Sequence, residues 1–173
     1  MLHLRLLPPG VVRHYLPDLV YGANDGIITT FAVVSGVVGA DLSERVILIL
    51  GFANLVADGF SMGASNFLSR RSYAEAGERA NPSEAARHGA ATLIGFLTAG
   101  IVPLVGYLVP LADEVRFPAA IVLTLATLFA VGASRTLVTR LGWIRSGLEM
   151  LAVGALAAAV AYAIGAVASA ITG

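Results

Sequence analysis

The sequence predicts an all-α polytopic membrane protein with five transmembrane helices, and three observations carry that prediction. Hydrophobic residues make up 57% of the 173 residues and charged residues only 13%, with a mean hydropathy of +0.83. A water-soluble domain of this size needs more charge to cover its surface. The apolar residues are gathered into blocks of about 20, the length at which a helix crosses a bilayer. The blocks do not alternate as the roughly 10-residue strands of a membrane barrel do, and only helices or closed barrels satisfy the backbone in hydrocarbon.

Residues 1–16 form a short amphiphilic lead carrying Arg5, Arg13 and His14. Pro8, Pro9 and Gly10 interrupt it too early for a cleavable signal segment. The first span is expected over 17–40. In the turn Asp41–Glu44, Asp41 or Ser43 is placed to cap the next helix. The second span covers 45–69, and a polar stretch broken by Gly77, Asn81 and Pro82 follows over 70–87. The third span, 88–111, contains Pro103. The turn 113–118 leads to the fourth, 119–138, and residues 140–146 connect to the fifth, 147–172. These spans use nearly all of residues 1–173, which read as a single transmembrane domain. No repeat divides the chain into two halves, so a pathway that needs symmetric halves must draw them from two chains.

Orientation follows from the basic residues, all of which are arginine. With the N-terminus in the cytoplasm, the inner segments hold Arg5, Arg13, Arg70, Arg71, Arg79, Arg87, Arg135, Arg140 and Arg145, and the outer ones only Arg45 and Arg116. Arginine on the cytoplasmic side is the positive-inside pattern, and it places the C-terminus outside. Size and composition point to a prokaryotic cytoplasmic membrane.

Several function classes are excluded. The chain has no cysteine, which removes disulfides, thiolate metal sites and cysteine nucleophiles. Its formal charge of zero favours no nucleic-acid partner. There is no nucleophile–base pair, metalloprotease helix motif or nucleotide loop, so an enzyme is not expected, nor a resident cofactor.

The informative residues are the polar ones inside the first two spans. Span one holds Asp18, Asn24, Asp25, Thr29 and Thr30, and span two holds Asn54, Asp58, Ser61, Met62, Ser65 and Asn66. A charge at the bilayer centre costs about 2.5–3.5 kcal/mol on insertion scales, so Asp25 and Asp58 need a reason to be there: a cation, a proton relay or a buried hydrogen bond. Asn54, Asp58, Met62 and Asn66 recur every four residues and share one helix face; Asp18, Asp25 and Thr29 share another. At about 1.5 Å rise per residue, Asp25 lies about 10 Å from Asp18 and Met62 about 12 Å from Arg70. Asp25 and Met62 are therefore expected at one depth, with Asp58 a turn deeper. Two carboxylates suit any divalent cation, and a thioether favours softer first-row metals, so Asp25, Asp58 and Met62, helped by Asp18, Asn54 and Asn66, point to Fe²⁺ or Mn²⁺, with Zn²⁺ and Co²⁺ as alternatives. Those carboxylates can take up protons as metal leaves, a physical basis for exchange.

The same residues have plainer readings. Asn24-Asp25-Gly26 resembles a turn that would break the helix. Met62 can be core packing, and Asn54 and Asn66 can be interhelical glue. The spacings Gly22-x-x-x-Gly26 and Gly59-x-x-x-Gly63 read as close helix packing. His88 reads as an interfacial residue, Glu75, Glu78 and Glu84 as a solvated loop face with metal collection as the alternative, and Tyr107 and Trp143 as interface anchors. Two rival functions follow: a proton-coupled carrier of another solute, and a non-transporting module whose polar stripe is dimer-packing glue.

The stretches Tyr15–Gly36 (YLPDLVYGANDGIITTFAVVSG) and Gly51–Gly63 (GFANLVADGFSMG) resemble the vacuolar iron transporter family, and Ile101–Tyr107 and Glu149–Gly154 extend the resemblance along nearly the whole chain. The resemblance implies a five-helix homodimer that exports Fe²⁺, and sometimes Mn²⁺, from the cytosol in exchange for protons. It also implies that Asp18, Asp25 and Met62 face a pathway at the dimer centre. Two departures stand out. Family members carry a glutamate at the position of Asn54, whereas here a carboxylate lies one turn along, at Asp58. They also insert a glutamate-rich metal-binding domain between spans two and three, where this chain has only its short polar stretch.

Overall fold

The computed structural model describes residues 9–75, 81–137 and 142–172. The lead before Pro9, the Gly77 break, Glu78, Arg79 and Arg140 lie outside the described residues, as do the side chains of Arg13 and Glu75. The described residues form helices α1 (Pro9–Gly39), α2 (Glu44–Glu75), α3 (Pro82–Gly100), α4 (Val102–Leu108), α5 (Asp113–Ser134) and α6 (Trp143–Thr172), with a 3₁₀ turn at Arg135–Leu137 and no strand among them. Because α4 continues α3, the described residues make five long helical segments, the all-α architecture expected.

Among the described residues, four segments are long and apolar enough to cross a membrane: Glu44–Tyr73, Pro82–Leu108, Asp113–Leu137 and Trp143–Thr172. The first pass, α1, has the length, at 31 residues, but Asn24, Asp25, Thr29 and Thr30 lower its hydropathy. The fold explains how it carries them. It is the central helix and packs against α2, α3, α4, α5 and α6, so protein rather than lipid surrounds most of its polar residues. Phe31, Val34 and Val37 of α1 join Ile47, Leu104 and Ala158 in one core cluster, and Ala23 and Ile27 join Ala99, Leu128 and Met150 in another. The outer helices instead expose large apolar side chains, among them Val122, Leu156, Ile164 and Ile171. Such an outward apolar surface is what lipid contact requires and what water would penalise. This is a multi-pass membrane protein.

Boundaries differ from expectation for identifiable reasons. α1 runs through Pro17 and straight through Asn24-Asp25-Gly26, so no turn breaks it there. Its end is a left-handed cap. Asp41 has φ 54°, and the backbone N–H groups of Asp41 and Leu42 donate to Val38 and Val37 at 3.1 Å each. Asp41 thus closes α1, and the first turn of α2 uses the Ser43 carbonyl, which accepts from Val46 at 2.9 Å. Asn81 caps α3, its side chain accepting from the Ser83 N–H at 3.0 Å with Pro82 in the first turn. Pro103, which offers no N–H, explains the break between α3 and α4. At the end of the bundle near Glu44, Arg116 bonds Glu44, Asp113 and the Leu111 carbonyl, joining the starts of α2 and α5.

The small-residue spacings do mark close packing. A Cβ on Gly22 would lie 2.0 Å from the Thr92 carbonyl oxygen, and one on Gly26 2.4 Å from that of Phe96. α1 and α3 therefore meet backbone to backbone, as Gly-based contacts in membranes allow.

Candidate metal pathway between α1 and α2

α1 and α2 run antiparallel, and one hydrogen bond fixes their register: Asn66 Nδ2 donates to Asp18 Oδ1 at 2.7 Å. Each four-residue step along α1 from Asp18 is matched by four back along α2 from Asn66. Tyr21 and Gly22 therefore lie level with Met62, Asp25 and Gly26 with Asp58, and Thr29 and Thr30 with Asn54. Two independent features agree. Asp25 and Asp58 are close enough to repel, and Tyr21 and Met62 line one cleft. The expected pairing of Asp25 with Met62 is thus off by one turn. It took Arg70 as level with Asp18, whereas the long Arg70 side chain reaches back a turn to donate to Asp18 Oδ1 at 3.1 Å.

The structure brings the six expected residues together in two groups. Asp25 and Asp58 are half-buried and, in the register set by Asn66 and Asp18, lie level in the middle of the two helices. One turn toward the His14 end, Met62 lines a cleft of about 590 Å³ with Asp18, Tyr21, Ser61, Ser65 and Asn66. Asn54 stands on the other side of the carboxylate pair, and its Nδ2 is buried without a partner. A buried polar atom in that condition marks a place where water or a ligand completes the hydrogen bonding. The Thr29 hydroxyl donates to the Asp25 backbone carbonyl at 2.9 Å, leaving the Asp25 carboxylate to the groove.

Asp18 and Asn66 have structural employment. Asp18 is 5% exposed and accepts from Asn66, from Arg70, and from His88 Nδ1 at 2.5 Å. Asn66 also donates to the Thr92 hydroxyl at 2.6 Å, and its own carbonyl accepts from Arg70 Nε at 3.1 Å. Of the two asparagines, Asn66 is interhelical glue. With Arg70 beside it, Asp18 faces the cleft as a neutralised, oriented carboxylate.

His88 was missed. It is not an interfacial residue: it is 3% exposed and sits between Asp18 and His14, whose Nε2 lies 3.2 Å from its own. Glu84 is likewise not a purely solvated face, because its Oε1 accepts from His14 Nε2 at 2.8 Å. The sequence signal was a histidine at the start of an apolar run, seven residues after an N-cap asparagine. Its partners Asp18 and His14 are 70 and 74 residues away. Trp143 is exposed at the start of α6 and packs edge-on against Phe129. Tyr107 packs partly buried against the first core cluster.

Taken together, the groove offers two mutually repelling carboxylates, a thioether and amide groups between membrane-length helices. A divalent cation there would turn the repulsion into attraction.

Comparison with known proteins gives a consistent picture. The model of the VIT family matches residues 16–87 and 74–166. A rice protein named vacuolar iron transporter homolog 1 is 30% identical over 171 residues, covering 87% of this chain and 72% of its own length. Vacuolar iron transporter 1 of Arabidopsis thaliana is 24% identical over an alignment of 207 positions that takes up only 84% of this chain. That relative therefore carries inserted sequence which this chain does not. A Toxoplasma gondii vacuolar iron transporter is 49% identical over 55 residues, a match spanning 32% of this chain and only 18% of that protein's length.

Proposed function

The chain belongs to the VIT family, and from that premise we propose that it is a homodimeric carrier exporting a divalent transition metal, Fe²⁺ or Mn²⁺, from the cytoplasm in exchange for protons. The observation that carries this reading is the Asp25–Asp58 pair, level across α1 and α2 with the Met62 thioether one turn along. Carboxylate oxygens with one soft sulfur favour first-row metals over Mg²⁺ and Ca²⁺. When metal leaves, the same carboxylates take up protons, which couples the two fluxes. Asp58 supplies from the next turn of α2 the carboxylate that Asn54 lacks. The chain is a carrier, not an enzyme, and holds metal as cargo.

The dimer reading rests on the outer face of α2. Ala53, Ala57, Ser61 and Ser65, all exposed, recur every four residues beside the polar stripe. Small residues at this spacing let a second helix approach closely, and a second copy would cover a polar cleft that lipid would otherwise meet. The N-terminus and the arginine-rich end lie in the cytoplasm and the C-terminus outside, in a prokaryotic cytoplasmic membrane.

The test is Fe²⁺ and Mn²⁺ flux in proteoliposomes under an imposed pH gradient. Gradient-driven uptake should be lost in Asp25→Asn and Asp58→Asn and reduced at least tenfold in Met62→Leu. Flux that survives both aspartate changes would refute the site. Flux lost in both but unaffected by Met62→Leu would favour a carrier of another solute with proton-relay aspartates. Absence of flux and of bound metal, with the aspartate variants failing to dimerise, would leave a packing module.

A further inference from the structure

Outside the α1–α2 groove, a second constellation gathers at the end of the bundle near the start of α1. His14 of α1 and Glu84 and His88 of α3 bring a nitrogen, a carboxylate oxygen and a nitrogen within 4.8 Å of one another. We propose that these three side chains form a second binding site, for a divalent first-row transition metal, distinct from the Asp25–Asp58 pair.

The hydrogen bonding argues for it atom by atom. Asp18 Oδ2 lies 2.5 Å from His88 Nδ1. An ionised carboxylate only accepts, so Nδ1 carries the proton and His88 Nε2 keeps its lone pair. That lone pair points at His14 Nε2, 3.2 Å away. His14 Nε2 is also 2.8 Å from Glu84 Oε1, again an acceptor. One proton, on His14, therefore sits among three atoms that each hold a lone pair once it is gone. A metal ion takes its place: the neutral His14 ring moves that proton to Nδ1, which frees the Nε2 lone pair with no net proton released.

Two of the three ligand separations fit as they stand, and the third, within 4.8 Å, closes as the exposed Glu84 carboxylate turns inward. With metal–nitrogen bonds of about 2.0–2.1 Å, atoms on adjacent coordination positions lie about 3 Å apart, the range of the two observed separations. The Asp18–His88 bond is the second-shell carboxylate that metal-bound histidines usually have, and Asp18 is itself fixed by Asn66 and Arg70. Two imidazoles and one carboxylate select Fe²⁺, Co²⁺, Ni²⁺ or Zn²⁺ over Mg²⁺ and Ca²⁺. The His14 and Glu84 side chains are 47% and 46% exposed, so the ion can enter and water can complete its coordination. Asp18 touches both this site and the Met62 cleft. If the transport reading holds, the site loads the pathway; metal binding itself does not depend on that reading.

The experiment titrates Co²⁺ into the full chain, purified in detergent and carrying Asp25→Asn and Asp58→Asn so that the groove carboxylates do not contribute. Expected are one Co²⁺ per chain and a visible ligand-field band. Adding His14→Gln or Glu84→Gln, both at exposed positions, should weaken binding at least tenfold. Unchanged affinity and stoichiometry in both would overturn the proposal. In the unaltered chain, Co²⁺ should also broaden the imidazole NMR signals of His14 and His88, and signals unmoved at saturation would overturn it independently. Co²⁺ binding without metal flux would sink the transport reading alone. Flux without His14-dependent binding would sink this site alone.

Discussion

Removing the Asp18 carboxylate tests the fold and the second metal site at once, because the two substitutions that remove its charge should act differently. In Asp18→Ala, three donors lose their acceptor. The buried His88 N–H is left unpaired, at about 1–3 kcal/mol. Asn66 keeps its 2.6 Å bond to Thr92, so its loss is about 1 kcal/mol. Arg70, whose side chain is 42% exposed, turns to water and contributes less than about 1 kcal/mol. The total is about 3 kcal/mol, at the lower edge of the range for breaking a buried ion pair by deleting one partner. Asp18→Asn is gentler. Its amide oxygen still accepts from Asn66 and Arg70, and its NH₂ meets His88 Nδ1. His88 can accept that bond by moving its proton to Nε2, so stability should fall by only about 1 kcal/mol. The same shift removes the lone pair offered to a metal, and Co²⁺ affinity should fall about 10–100-fold. Reversible unfolding in mixed micelles reads the first quantity, and Co²⁺ titration reads the second. An alanine variant that loses less than about 1 kcal/mol would refute the energetic reasoning. An asparagine variant that keeps full Co²⁺ affinity would refute the tautomer argument.

Two further predictions concern how the helices are held. Gly22→Ala places a methyl group 2.0 Å from the Thr92 carbonyl oxygen, so α1 and α3 must separate. The loss should be at least about 1–3 kcal/mol, seen as a lower melting temperature in detergent. Gly36→Ala meets only the Ala161 carbonyl oxygen, at 3.5 Å, and should melt like the parent; equal effects would contradict the close α1–α3 contact. Asp41→Val forces a β-branched residue into the left-handed cap and should cost about 1–2 kcal/mol, whereas Asp41→Gly should be neutral or stabilising in the same melting assay.

What the sequence made legible, and what it did not, divides by range. Hydrophobic block length located the helical segments, because that signal is carried by each segment alone; α1, with its polar residues, gives the weakest form of it. The polar faces of α1 and α2 were also legible, since a four-residue repeat needs only one helix to be true. Pairing those faces required knowing which residue of α2 meets Asp18, and the level of Arg70 was a misleading guide. An arginine head group lies far from its own Cα, so a turn of error follows whenever the head group is taken as the level of the backbone. Caps divided in the same way: Asp41 was seen as a capping residue, but which helix it caps depends on its φ, which its residue type alone does not decide.

The His14–Glu84–His88 cluster was out of reach for a different reason. Nothing near His88 in the chain distinguishes it from a histidine resting at a membrane surface. It becomes a ligand only because α3 lies against α1, and that approach is set by glycines: Gly22 and Gly26 on α1, and Gly95 on α3, whose Cβ would fall 2.2 Å from the Leu19 carbonyl oxygen. The glycine spacings read as packing and His88 as an interfacial residue, yet the packing is what brings the cluster together. With the helix axes forced together, Asp18 of α1 meets His88 of α3, and one helical turn earlier on each helix His14 meets Glu84. It follows that Gly22→Ala should weaken Co²⁺ binding as well as stability, although it touches no ligand. Gly36→Ala, farther along α1 where α6 packs, should leave Co²⁺ binding intact. A Gly22→Ala protein that melts early but binds Co²⁺ like the parent would show that the cluster forms without the close α1–α3 contact, and the argument from packing to site would fail at that step.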